Sequence, residues 1–328
     1  MRVLAAALIA LASPAVAGVD AVIDDHILPG YARFATEAAT LSDAAEQDCT
    51  AEALRSAFQS TFDAWMGISH IRLGPAEEGG RVLAIAFWPD TRGLTDKTLR
   101  RLIADQDPVV GSAETYADVS IAAQGMFALE RLLYDETLSS YAAGSYTCTL
   151  TAAIAGNLAE LAGDIQSEWQ DGFAETLRAA GDAGNTRFLT EREAAQALFT
   201  ALTTALEFDA DQRLGRPLGS FDRPRSKRAE AWRSGRPLRN ITLSLEALRD
   251  LAATLTDEKP TATLAAFDAA LEAANALDDP IFAGVEDPQG RLEVEILQQR
   301  IQAIRQAVIS EIGPALGVAA GFNSADGD

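Results

Sequence analysis

The sequence predicts an all-α protein of two up-and-down helical bundles packed together. Three observations carry that expectation. Almost every long segment repeats its apolar residues at three- and four-residue spacing, the period of a helix with one buried face. No run alternates apolar and polar residues long enough to make a strand. Alanine and leucine are abundant while Trp, Tyr and Phe total 7% of the 328 residues, a balance that favours helices over sheets.

In chain order, residues 1–17 read as an export signal. "MRVLAAALIALASPAVAG" has a positive start at Arg2, an apolar stretch from Val3 to Leu11 and a small-x-small end at Ala15-Val16-Ala17. The apolar stretch is too short to span a bilayer, and no later segment is long enough either, so no transmembrane segment is expected. Residues 18–180 read as the first bundle, with helices over 19–42, 50–73, 95–106, 112–136 and 148–172. A Gly- and Pro-rich loop, 74–93, interrupts them. It carries Phe87 and Trp88 and is expected to be packed down. The small polar stretch "AAGDAGNT", 179–186, is the expected boundary. The second bundle, 187–318, has helices over 190–216, 237–256, 261–277 and 289–313, with a shorter one over 224–233. Thr190 followed by Glu193 makes a capping box, and Thr261 after Pro260 opens an alanine-rich run. No clear internal repeat relates the two halves.

The composition excludes several function classes. The formal charge is −21, one unit more negative without Arg2, so nucleic acid is a poor partner. Cys49 and Cys148 are the two cysteines. In an exported chain an even, minimal count points to one disulfide; two buried free thiols are the alternative. With His26 and His70 the only histidines, there is no HExxH zinc site. There is likewise no GxSxG elbow, P-loop, GxGxxG, CxxC or EF-hand loop.

Three constellations remain. "QGMFALERLLYD", 124–135, reads as a buried helix with Ile121, Gly125, Ala128 and Leu132 in one apolar row and Met126, Leu129 and Leu133 in another. Glu130 lies among them, and its neighbours three and four residues away carry no charge. A buried carboxylate needs a partner, which a metal, a histidine or an arginine from another helix could supply. His70 lies on a similarly uncharged face, and His26 follows Asp24 and Asp25. With Glu130 they would make a three-ligand site for a divalent or ferric metal if the fold brings them together. Finally, nine of the 27 basic residues crowd into 213–239. They are paired with acidic helices, or they form an anion-binding patch in which Arg233, Ser234, Arg236 and Arg239 stand near a helix start.

Five segments together resemble the imelysin family of peptidase M75-like proteins. They are "HILPGYARF", "AFQSTFDAWMGISHIRLGP", "FWPDTRG", "QGMFALERLLYD" and "EAWRSGRPLRNI", in that family's order. The resemblance implies an all-helical periplasmic or envelope-associated protein with two bundle-like halves, linked to iron uptake and regulation. It also implies a G-x-H-x-x-E motif on a buried helix. Gly125 and Glu130 match the ends of that motif, and Phe127 stands at its histidine. Phenylalanine ligates nothing, so a metal site on this motif is weakened unless His26 or His70 substitutes. The function expected is a non-enzymatic periplasmic binding or accessory protein, its partner a small ligand, a metal or an envelope protein. The alternatives are a metallopeptidase and an envelope interaction module. The site is expected near Glu130, His70, His26, Trp65, Trp88 and Asp90, with Arg233 and Arg236 as anion contacts.

Overall fold

The structure is a computed structural model that describes residues 14–111 and 113–319. Helix α1 (Pro14–Val22) runs through a π-turn at Ile23–Ile27 into α2 (Leu28–Gln47). Tyr31, Phe34, Ala38, Leu41 and Ala45 of α2 recur every three or four residues and are buried. The same period in α3 (Ala51–Met66) buries Leu54, Phe58, Phe62 and Trp65. After the short α4 (Arg81–Ile85), α5 (Leu94–Asp105) and α6 (Ala113–Ala117) come α7 (Gly125–Tyr134) and α8 (Tyr146–Glu168). Helix α2 packs on α3 and α8, and α7 packs on both of them, which closes the first bundle.

A π-turn and α9 (Ala174–Arg178) lead to the second bundle. It contains α10 (Glu191–Phe208), α11 (Gly215–Leu218), α12 (Pro237–Thr254), α13 (Thr261–Ala276) and α14 (Pro288–Leu316). Helix α10 packs on α12 and α14, and α13 on the same two. The bundles are joined by α1, which packs on α10 and α12, and by α3, which touches α12. One apolar cluster runs through both. Among the described residues no strand forms; Ser220 and Arg223 make a lone bridge. No helix among them is long and apolar enough to cross a membrane.

Several expected elements change form. The helix expected over 112–136 is interrupted. Gln124 is extended and Gly125 has φ +64°, so α7 begins afresh there. A Cβ on residue 125 would overlap the carbonyl oxygens of Ala84 and Ile85, so glycine is required by both torsion and close approach. The apolar row therefore loses Ile121, which is exposed. No α-helix forms over 224–233. Two single 3-10 turns, Ser226–Arg228 and Trp232–Ser234, take its place, the second flanked by left-handed Ala231 and Gly235. The helix expected to reach residue 73 ends at Met66, which leaves His70 in an irregular turn.

Among the described residues, the N-cap side chain accepts a backbone N–H at the starts of α8, α10 and α14. Thr190 Oγ accepts from Glu193 N at 3.3 Å, as the capping box predicts. Thr261 is different: the Glu311 carboxylate of α14 takes Ala262 N at 3.2 Å and Thr263 N at 2.7 Å. The apolar run Val3–Leu11 of the export signal lies outside the described residues, and the expected cut after Ala17 falls within α1.

Cys49 and Cys148 are disulfide-bonded with Cα atoms 5.1 Å apart and a sequence separation of 99. The bond ties the α2–α3 turn to the first turn of α8. A loop that long leaves much chain entropy to remove, so replacing both cysteines by alanine is expected to lower the unfolding free energy by about 2–5 kcal/mol. Denaturant titration checks this, and unchanged stability would contradict it.

Candidate functional site

Helix α7 carries Glu130 into the interior, where it is 3% exposed. Its Oε1 accepts three hydrogen bonds from the turn before α12. The donors are Arg233 N at 3.0 Å, Ser234 N at 3.1 Å and Ser234 Oγ at 3.1 Å. The protein groups that meet it are thus two backbone N–H groups and a hydroxyl, with no guanidinium hydrogen-bonded to it. Arg233 contributes through its backbone, while its side chain bonds Asp135 at 3.0 Å and lies over the Trp232 ring. Burial pushes the Glu130 carboxyl up; the Arg233 charge and the bonds from Ser234 and Arg233 pull the other way without cancelling it.

Phe127, one turn before Glu130, is buried. It stacks on Trp88 with centroids 6.4 Å apart and meets Phe62 edge-on at 5.8 Å. The place of the motif histidine is therefore filled by aromatic packing. Trp88 also meets Phe208 edge-on at 5.8 Å, and the Arg216 guanidinium lies over its ring.

These groups surround a cavity of about 380 Å³. Glu130 and Phe127 line it from α7, and Trp88 and Asp90 from the 86–93 loop. Arg216, Lys227, Arg228, Trp232 and Arg233 line the opposite side. Its acids are already engaged. Burial alone would raise the Asp90 carboxyl, but N–H bonds from Leu94, Thr95 and Arg92 outweigh it and hold the group below its usual range. Asp90 is thereby the cap of α5. Asp96 is paired with Arg131 and Arg100. Arg216, Lys227 and Arg228, in contrast, make no ion pair with a described residue.

The basic cluster therefore divides. Arg236 is fully buried and donates to Asp63 Oδ1 at 2.7 Å and Asn240 Oδ1 at 3.0 Å, with its guanidinium over Phe62. It braces α12 against α3 and does not reach the cavity. Arg239 joins it on Asp63. Arg213 bonds Asp209 and Glu230, all three buried, and Asn240 and Ser244 complete that network. Trp65 packs on Phe34 in the first bundle, away from the cavity. Sequence reading missed Trp232 and the Asp209–Arg213–Glu230 network, and it placed Ser234 in an anion-binding patch and not on Glu130. A tryptophan beside arginines was the one legible signal; nothing in the pattern marked Ser234 as a donor to Glu130.

The structure brings His26 and His70 together, with Nε2 atoms 2.7 Å apart, and does not bring Glu130 to them. His26 sits in the π-turn between α1 and α2. His70 lines a second cavity, of about 360 Å³, against Ala197, Ala201 and Phe208 of α10. No group of three His, Cys, Asp or Glu able to hold a metal forms among the described residues. The donors at the motif do not fit a metal either. Phe127 has no lone pair and Glu130 Oε1 is committed to three hydrogen bonds, which leaves Glu130 Oε2 as the motif's one uncommitted oxygen, fewer donors than a metal site needs.

Burial lowers the His26 pKa from 6.5 to about 4. Burial first, then the charges of His26, Arg72 and Arg213, push His70 well below its usual value. Both are held neutral in the folded state while the unfolded chain takes up protons below pH 6.5. Stability is therefore intact above that pH and lost as pH falls from 6.5 toward about 4. The thermal midpoint should fall over this window, and fall less steeply in His26→Gln. Equal slopes in the two proteins, followed by circular dichroism, would contradict the assignment.

The family model for imelysin (Peptidase M75) matches residues 27–308. An imelysin-like protein from Psychrobacter arcticum 273-4 has a similar structure, with TM-score 0.76 and 22% identity over 96% of this chain and 100% of the other. So does a candidate iron-regulated protein A precursor from Parabacteroides distasonis ATCC 8503, with TM-score 0.74 and 15% identity over 92% and 97%. A search of curated proteins finds no match. The all-helical fold, the buried glycine-to-glutamate helix and the match over most of its length make this chain a member of the imelysin family.

Proposed function

We propose that this imelysin-family chain is a periplasmic binding or accessory protein of iron acquisition, without peptidase activity. In this reading the halves 18–180 and 187–318 enclose a ligand site in the cavity over Glu130. The observation that carries it is the replacement of ligating chemistry by packing and recognition chemistry. Phe127 stacks on Trp88 where a histidine is expected, and Glu130 holds backbone N–H groups. A metallopeptidase needs a firmly held metal and a water activated on it, and this motif offers neither ligand set. The name of the Parabacteroides neighbour, an iron-regulated precursor, supports export and a tie to iron. The apolar start of the sequence supports export independently.

One experiment on purified protein and native cells tests the reading. Fractionation should find the protein in the periplasm, more abundant under iron limitation. The same protein, incubated with insulin or casein and added zinc or iron, should leave both intact. Chelator-sensitive cleavage that is lost in Glu130→Gln would overturn the proposal in favour of a peptidase.

A further inference from the structure

We infer that the cavity over Glu130 takes an organic anion with a flat apolar body, an aromatic or conjugated carboxylate being the simplest class. The inference rests on the reading of this cavity as the ligand site. Three features carry it, the first being uncompensated charge. In a chain of net charge −21, Arg216, Lys227 and Arg228 line one cavity with no carboxylate paired to them. Each of the acids there is committed elsewhere: Asp90 to the α5 cap, Asp96 to Arg131 and Arg100, Glu130 Oε1 to the 233–234 turn. Three cations converging without counter-charge raise the local concentration of anions, and an arginine fork suits a carboxylate.

The second feature is the wall. Trp88, backed by Phe127, and Trp232 present half-exposed aromatic rings to the same space. The Arg216 and Lys227 head groups lie 5.8 and 5.7 Å from the centroids of those two rings. Charge and flat apolar surface are thus adjacent, as a ligand with an anionic edge and a planar body requires. Burial and the nearby Arg228 charge both lower the Arg216 pKa, as expected of cations facing each other across a gap.

The third feature is Glu130. It is almost fully buried and lines the cavity, yet all of its hydrogen bonds fall on Oε1. Oε2 takes none from a described residue, so it is available to a hydroxyl or N–H of the ligand.

Calorimetric titration of the full chain with 2-naphthoate, with neutral 2-naphthamide and with inorganic phosphate tests the inference. The expected result is one-to-one binding of naphthoate, at least about tenfold tighter than of naphthamide or phosphate, and weakened by added salt. The triple variant Arg216→Ala, Lys227→Ala, Arg228→Ala should lose that preference by about tenfold or more. Its thermal midpoint should fall by no more than a few degrees, since none of the three makes an ion pair with a described residue and only ring contacts and the Arg216–Gln212 hydrogen bond are lost. Thr91→Trp, which fills the cavity mouth, should block every probe. Equal affinity for naphthoate and naphthamide, both blocked by Thr91→Trp, would overturn the anion assignment and leave the cavity standing as a ligand site. Phosphate binding as tightly as naphthoate would overturn the flat body alone. Naphthoate binding untouched by Thr91→Trp, or no binding of any probe, would overturn the cavity reading together with the inference.

Discussion

One buried carboxylate organises the middle of this molecule. Glu130 belongs to the first bundle, and the N–H groups it holds belong to the turn that leads into α12 of the second. Those N–H groups lie in the single 3-10 turn Trp232–Ser234 that precedes α12. Left-handed Ala231 and Gly235 bend the chain so that both point at the same oxygen. A hydrogen bond of this kind contributes roughly 0.5–1.5 kcal/mol, and a buried donor left unmet costs about 1–3 kcal/mol. The bundles, the placement of Trp232 and the cavity wall therefore depend on this contact.

Charge in the surrounding segment is divided by depth. Arg213 and Arg236 are buried, and each has carboxylates in direct contact: Asp209 and Glu230 for the first, Asp63 for the second. Buried pairs of this kind contribute little net stability, but removing one partner leaves an uncompensated charge inside the protein. Their consequence is position: Arg236 locks α12 against α3, and the Arg213 network fixes the π-turn at Asp209–Leu214. Phe208, at the end of α10, then lies between the two cavities. It meets Trp88 of one and lines the other beside His70. The cations left over, Arg216, Lys227 and Arg228, reach the cavity because the deeper acids are already taken.

The helices were largely legible because a buried helical face leaves a period that sequence cannot hide, as in Tyr31–Phe34–Ala38–Leu41 of α2. The disulfide was legible from count and export context. The break at Gly125 was not, because its cause is the carbonyl edge of α4, some forty residues earlier in the chain. The segment 224–233 read as a short helix, whereas its φ-positive alanine answers to the geometry Glu130 imposes. At the site, Phe127 and Glu130 were marked by pattern and Trp88 and Asp90 by an unusual loop. Arg236 and Trp65 were marked as well, but burial makes them struts. A basic run shows how many cations are present; which of them keep a free charge is decided by acids on other helices.

Family membership fixes the fold, while the contents of the motif fix the chemistry, and here the two diverge at residue 127. The account's central claim is that Glu130 serves as an acceptor for the Arg233 and Ser234 backbone. Amide hydrogen exchange over 229–236 tests it most directly. In the unaltered protein these two amides should exchange slowly. Glu130→Gln should preserve most of that protection by keeping an acceptor oxygen. Glu130→Ala should speed exchange by about 10- to 100-fold, with α2 and α8 unchanged. Identical exchange in the unaltered protein and in Glu130→Ala would contradict the account.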